Sequence, residues 1–223
     1  MTREILSPAD DQTLATLTAA KIREMLITGE LSPGTKLSEQ QIAARFGISR
    51  NTLREVFRLL TSQNLLTYIP NRGVFVATPD EATVVDIYRV RRVLQKGAVQ
   101  VAIPGHPALI RMRALLAQTA SARETGNWRQ VGTINMEFHR AMVELCDSPR
   151  LSACFDLVLA ELRLVFVQLE DMAHLHEPYI AQNAELLVSL ETGNIETAAQ
   201  QLDSYLLRSE RSVLAALQRR KFI

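Results

Sequence analysis

Cysteine is almost missing: the chain of 223 residues has two, Cys146 and Cys154. That is too few for a disulfide framework, and their spacing excludes a CxxC site, so both are expected as reduced, partly buried thiols of a cytoplasmic protein. Aromatic residues are only 5%, and glycine and proline number 9 and 8. With Ala, Leu, Arg and Gln recurring at helical rather than alternating spacing, this scarcity disfavours a β-sandwich and points to a mostly α chain. Long apolar runs are lacking too. The most apolar stretch, LVLAELRLVFV at 157–167, is interrupted by Glu161 and Arg163 and is too short to span a bilayer. The opening MTREILSPADD has no apolar segment of the kind that marks a signal peptide. Excess charge is absent as well, since the formal net charge of +1 neither demands nor excludes nucleic acid, and local charge must decide. Finally, no HExxH, GxSxG or P-loop motif occurs and His139 has no evident nucleophile partner, so nothing in the chain supports an enzyme.

What is present is a 47% hydrophobic, 22% charged mixture able to bury a core. Helical periodicity begins near Ala9 and runs through TLATLTAAKIREMLITG, with Leu14, Leu17, Ile22, Met25 and Leu26 as its inner stripe and Gly29 as its stop. LSPGTKL reads as a turn because Pro33 and Gly34 cannot prolong a helix. Ser38, with Gln41 three residues on, forms a capping-box pattern for a short helix that ends at Phe46 and Gly47. Ser49 then caps a third helix whose apolar face is Leu53, Val56, Phe57 and Leu60, with Asn64 as the stop. LLTYIPNRGVFVA reads as strands at 65–69 and 74–77 joined by PNRG.

Helix, helix, turn, helix and hairpin make a winged helix-turn-helix. We expect that domain over 1–78, with the boundary at TPDEAT, where Pro79 breaks and Asp80 and Glu81 start a helix. Over 79–223 the chain reads as an all-α antiparallel bundle of about six helices. Its breaks are PGHP at 104–107, ETGN at 124–127, CDSP at 146–149, HLHEP at 174–178 and TGN at 192–194.

The third helix carries Arg50, Asn51, Thr52 and Arg54 away from its apolar face. Such a helix can enter a DNA major groove, where Arg pairs bidentately with guanine and Asn or Thr meets other base edges or phosphate. Basic residues Lys36, Arg45, Arg50, Arg54, Arg58 and Arg72 outweigh Glu39 and Glu55 across this region, so it is locally positive. At the wing tip, Arg72 can reach the backbone or the minor groove while Gly73 allows close approach. Surface arginines are ordinarily just a solvated face; here the turn, caps and wing are all in register with them. The expected DNA-binding set is Arg45, Arg50, Asn51, Thr52, Arg54, Arg72 and Gly73. The rival reading is a helical scaffold or subunit whose winged helix binds protein. Salt dependence separates the two, because phosphate neutralisation makes affinity fall steeply with salt.

The stretch IREMLITGELSPGTKLSEQQIAARFGISRNTLREVFRLLTSQNLLTYIPNRGVFV resembles the winged-helix domain of GntR-type bacterial regulators, in which G-x-L-x-P-G-x-x-L, S-R-x-x-x-R-E and an R-G wing recur. The remainder, with DIYRVRRVLQ and NMEFHRAMVELCDSPRL, is similar to the ligand-sensing domain (FCD type) of the FadR-like branch. The resemblance implies a homodimeric repressor or activator that reads a palindromic operator on double-stranded DNA under control of a small metabolite. Many relatives hold a divalent metal with an Asp and a His one helical turn apart plus two further His. The corresponding positions here are Asn135, His139, Asn183 and Tyr205, a poor set for zinc, so no tightly bound metal is expected. These four, with Arg91 at the family's arginine position on the first sensor helix, form the expected effector-binding set, Arg91 pairing with a ligand carboxylate. Arg92 points about 100° around the helix and is expected in solvent. Arg89 and Gln95 replace common acidic residues. His106, His174 and His176 fall in predicted loops and are expected on the surface.

Overall fold

The computed structural model describes residues 13–27, 30–169 and 172–220. It divides into two compact units between Thr78 and Pro79.

The first unit contains α1 (Leu14–Ile27), β1 (Lys36–Leu37), α2 (Glu39–Phe46), α3 (Arg50–Ser62), β2 (Leu66–Ile69) and β3 (Gly73–Val76). Local chemistry sets most of these ends. Ser38 accepts a hydrogen bond from the Gln41 amide, and Gly47 closes α2 at φ 62°. Ser49 accepts from the Thr52 amide at 3.1 Å to start α3. Asn64, at φ 57°, ends that helix in a Schellman arrangement: Leu65 N–H donates to Leu60 O, and Asn64 N–H to Thr61 O. The buried face of α3 is Leu53, Val56, Phe57 and Leu60, as its spacing predicts.

Two expectations change in this unit. Leu14 and Leu17 are exposed, and the stripe of α1 that packs on α3 is Thr18, Ala19, Ile22, Met25 and Leu26. Leu17 lies about 140° around the helix from Ile22, and Leu14 opens the helix ahead of the packed face. The LSPGTKL segment is more than a turn, since Lys36 and Leu37 pair antiparallel with Phe75 and Val74. The sheet order is therefore β1-β3-β2, with the wing's second strand in the centre. The proposed helix start near Ala9 and stop at Gly29 lie outside the described residues.

The second unit contains α4 (Glu81–Gln100), α5 (Pro107–Glu124), α6 (Trp128–Glu144), α7 (Pro149–Val167), α8 (Met172–Glu191) and α9 (Ile195–Arg220). Asp80 caps α4, and Asn127 and Ser148 cap α6 and α7. Helix α4 packs on α6, α7 and α9, while α8 packs on α5, α6 and α9. Together they enclose one core that includes Tyr88, Phe138, Met142, Phe155, Leu190 and Leu206.

The expected break at 174–178 does not exist. Helix α8 continues through Pro178 because Leu175, His176, Tyr179, Asn183, Leu186, Leu187 and Leu190 form one buried stripe. That burial outweighs the loss of one backbone donor, about 3 kcal/mol for an interior proline. The chain leaves α7 earlier, at Gln168 and Leu169. His176 is therefore a core residue, only 2% exposed. His106 also does more than face solvent: its Nδ1 accepts from Ala108 N–H at the start of α5, and its Nε2 lies 3.2 Å from Asp147 Oδ1. The side chain of His174 lies outside the described residues. Arg92 is half-buried and reaches Glu210 at 3.4 Å instead of standing in solvent. Among the described residues no helix is long and apolar enough to cross a membrane.

Candidate DNA interface and effector pocket

The Ser49 cap aims the start of α3 outward. Arg50, Asn51, Arg54 and Arg58 are exposed along one side of it, opposite the buried Leu53, Val56, Phe57 and Leu60. Thr52 is half-buried, and its hydroxyl is 2.9 Å from Ser49 Oγ, so it braces the cap. Arg54 Nε lies 3.5 Å from Glu39 Oε2, which links the outer face of α3 to the start of α2. Arg45 is set apart. It sits in the last turn of α2 and pairs with Glu30 at 2.5 Å, a bond that raises its pKa and compensates its charge. Its guanidinium also lies 5.8 Å from the Phe46 ring centre.

At the wing, Asn71 and Gly73 take positive φ values of 62° and 102°, which makes the tip. Arg72 lies over Phe75 at 5.6 Å. A Cβ on Gly73 would come within 3.5 Å of the Lys36 side chain, so Lys36 stands beside the wing. Between α3 and the wing runs a cleft of about 520 Å³ walled by Glu39, Arg54, Arg58 and Tyr68, among others. Tyr68 is 62% exposed. In the sequence Lys36 and Arg58 count only as charge and nothing singles out Tyr68: alternation along β2 puts it on the face of the buried Leu66, opposite Val74, and only the fold shows that it is exposed.

In the second unit the helices bring Asn135, His139, Asn183 and Tyr205 together. Asn183 Nδ2 donates to Asn135 Oδ1 at 2.7 Å, and the Tyr205 hydroxyl donates to the same oxygen at 3.2 Å. The His139 and Tyr205 rings meet edge to face at 4.8 Å, and Tyr179 meets Tyr205 likewise. Arg91 is 2% exposed, with its guanidinium 4.8 Å from the Tyr88 ring centre. Tyr88 in turn bonds Ser209 at 2.7 Å. Among the described residues no carboxylate lies within ion-pair distance of Arg91.

The electrostatics follow from burial and that cation. His139 is held well below its usual pKa, first by burial and then by the charge of Arg91, so its ring is neutral. Burial also raises the Tyr88 and Tyr205 hydroxyls, which stay protonated, with Arg91 opposing the shift in both. In this group four buried polar atoms, Arg91 Nε, Gln95 Oε1, His139 Nε2 and Asn183 Oδ1, find no hydrogen-bond partner among the described residues. In the sequence Gln95 stands out only as a departure from the family pattern. Its position one turn after Arg91, on the same face of α4, was the signal that it belongs to this group. Among the described residues, no three His, Cys, Asp or Glu side chains converge as a metal-holding group.

A second buried polar contact lies along the seam between α6 and α8. His176 Nε2 abuts Gly132, and the ring lies 5.1 Å from Phe166. Burial, and secondarily the charge of Arg163, lowers the His176 pKa to about 4.

Residues 14–76 match the family described as bacterial regulatory proteins, gntR family, and residues 86–208 match the FCD domain. The chain belongs to the GntR family. A GntR transcriptional regulator from Rhodococcus sp. RHA1 is 35% identical in sequence and superposes with a TM-score of 0.84 over 91% of this chain and 98% of that one. YdhC of Bacillus subtilis (strain 168), an HTH-type transcriptional regulator, is 24% identical over 183 residues, covering 81% of this chain and 82% of its own length. McbR of Escherichia coli shares the fold, with 22% identity, a TM-score of 0.77, and 91% and 97% coverage. A regulator from an unstable DNA locus of Streptomyces ambofaciens is 38% identical over 92 residues, and this chain spans 39% of that protein's length. The protein is thus a DNA-binding transcriptional regulator with an N-terminal GntR winged helix and a C-terminal FCD domain. The relatives named above are transcriptional regulators.

Proposed function

We propose that this GntR regulator binds a palindromic operator as a cytoplasmic homodimer, and that a small anionic metabolite held in the FCD domain sets its operator affinity. The observation that carries the effector half is Arg91. A buried cation without a carboxylate partner is costly, because desolvation is uncompensated until an anion arrives. The buried polar group around it leaves donors and acceptors unmatched, which suits a ligand that combines a carboxylate with hydrogen-bonding groups. Asn135, Asn183 and Tyr205 offer neutral, hard or weakly basic atoms in place of thiolate, imidazole or carboxylate. They do not fit a tightly held zinc or nickel ion, and we assign this pocket to direct ligand binding.

Control of DNA binding requires that the metabolite favour one arrangement of the two winged helices in the dimer, since a ligand with equal affinity for both states shifts nothing. On the DNA side, Arg50, Asn51 and Arg54 read base edges, with Arg72, Gly73 and Lys36 engaging the backbone beside the wing. The second copy is needed because a single winged helix contacts too few base pairs for useful specificity. We assign its docking to the stripe formed by the exposed Val90 and Val93 and the half-buried Gly97 of α4, continued by the exposed Val101 just past its end.

The test is a thermal-shift screen of small organic acids on the full chain, followed by operator titration with and without each hit. A hit that stabilises the protein and changes operator affinity supports the proposal. Stabilisation with identical operator affinity would reject the control step, and no stabilisation by any acid would reject the pocket assignment.

A further inference from the structure

One imidazole survives at the family's metal positions, and the location of its proton decides what it can do. A histidine that ligates a metal through Nε2 keeps its proton on Nδ1 and donates it to a carboxylate, carbonyl or water. His139 has the reverse arrangement. Its Nδ1 lies 2.6 Å from Gln95 Nε2, an amide nitrogen that carries two hydrogens and accepts none. The same nitrogen is 3.6 Å from Met142 Sδ, a weak acceptor, so both of its neighbours receive hydrogen bonds. Reversing the amide would set Gln95 Oε1 against the lone pairs of the sulfur. Nδ1 therefore holds the lone pair. In the neutral ring the proton is then on Nε2, a buried atom with no partner among the described residues.

We propose that Gln95 is a positioning residue that locks His139 as an Nε2–H donor, turning the surviving imidazole from a metal ligand into a hydrogen-bond donor of the pocket. For Nε2 to coordinate a metal, the proton would have to move to Nδ1 and the bond from Gln95 would be lost. Among the described residues Arg91 Nε–H is a second buried donor without a partner, while Gln95 Oε1 and Asn183 Oδ1 are buried acceptors without one. The complementary ligand presents acceptor atoms to the first pair and N–H or O–H groups to the second. That ligand chemistry rests on the effector reading; the tautomer does not.

The full chain, labelled with ring-¹⁵N histidine, tests the lock by long-range ¹H–¹⁵N correlation, with His139 assigned from the signal lost in His139→Gln. The wild-type ring is expected as a single Nε2–H tautomer. Gln95→Glu offers a carboxylate to Nδ1–H, so the tautomer should reverse and zinc affinity should rise about 10- to 100-fold in a titration with zinc alone. Should the buried carboxylate prevent folding, Gln95→Met keeps a similar volume without a donor, and there the single tautomer should give way to a mixture. An Nδ1–H ring in the wild type, or an unchanged spectrum in Gln95→Met, would overturn the lock. A reversed tautomer with unchanged zinc affinity in Gln95→Glu would overturn its part in excluding metal. Failure of the effector reading would leave the wild-type ring spectrum as stated, so the two failures are distinguishable.

Discussion

A Cβ atom on Gly132 would stand 2.5 Å from His176 Nε2. No side chain other than hydrogen fits there without moving the imidazole, which is buried between α6, Phe166 and the rest of α8. Gly132→Ala should therefore destabilise the FCD domain by about 1–3 kcal/mol despite alanine's higher helix propensity, because overpacking exceeds that gain. Pairing it with His176→Ala should recover part of the loss. Urea denaturation of the two single variants and the double variant checks this, and simple additivity would reject the steric account.

Acid should unfold this protein through its buried histidines. A His whose folded pKa lies below its unfolded value of about 6.5 binds more protons when unfolded. The stability it confers is complete above that value and is lost as pH falls towards the folded pKa, about 4 for His176. The window is pH 6.5 down to about 4, and the loss reaches about 3 kcal/mol for this residue. His139 shifts in the same direction and adds to the loss. Stability measured across the window in His176→Gln should be flatter than in the wild type.

On DNA, Arg50→Ala and Arg54→Ala should each weaken operator binding by about 1–3 kcal/mol while leaving the fold intact, because neither side chain is buried. Arg45→Ala should cost less than either, since Glu30 already compensates that charge. Fluorescence anisotropy with labelled operator ranks the three. An Arg45 effect equal to that of Arg54 would put α2 in the contact as well.

Arg91→Met exchanges a buried cation for an apolar chain of similar reach. Folding stability should hold or increase, as replacement of buried charge often does. The variant should lose the thermal shift produced by any acid that stabilises the wild type. The pKa of His139 should rise at the same time, because Arg91 is one of the two causes that depress it. Retained ligand response would remove Arg91 from the pocket.

Gly97 is half-buried between the exposed Val93 and Val101, with open space where a Cβ would be. Gly97→Leu should therefore leave the monomer fold unharmed and disrupt dimer formation through that face. Light scattering at micromolar concentration reads the outcome, and an undisturbed dimer would move the interface to another surface.

Where local chemistry decides, the sequence was readable. Ser38, Gly47, Ser49 and Asn64 each act on their own backbone within a few residues, and the helices they bound lie where their spacing puts them. Where distant contacts decide, it was not. Pro178 reads as a breaker until the buried stripe from Leu175 to Leu190 is seen, and the same error put His176 on the surface. Lys36 and Leu37 alternate, one exposed and one buried, but two residues are too few to carry a pattern, and only their pairing with Phe75 and Val74 makes them a strand. In the pocket, the family resemblance named Asn135, His139, Asn183 and Tyr205, and the fold brings these four together. Gln95 is bonded to a ring 44 positions away, which no local pattern reveals.

That two-residue strand has a consequence for how the wing breathes. An isolated two-stranded hairpin is marginal in water, but β1 gives β3 a partner on each side. In hydrogen exchange, the amides of Val74 and Val76 should open only when the whole N-terminal unit does, whereas outward amides of β2 should exchange through local fraying. The wing would then meet DNA as a stiff blade with one soft edge, and that edge carries Tyr68.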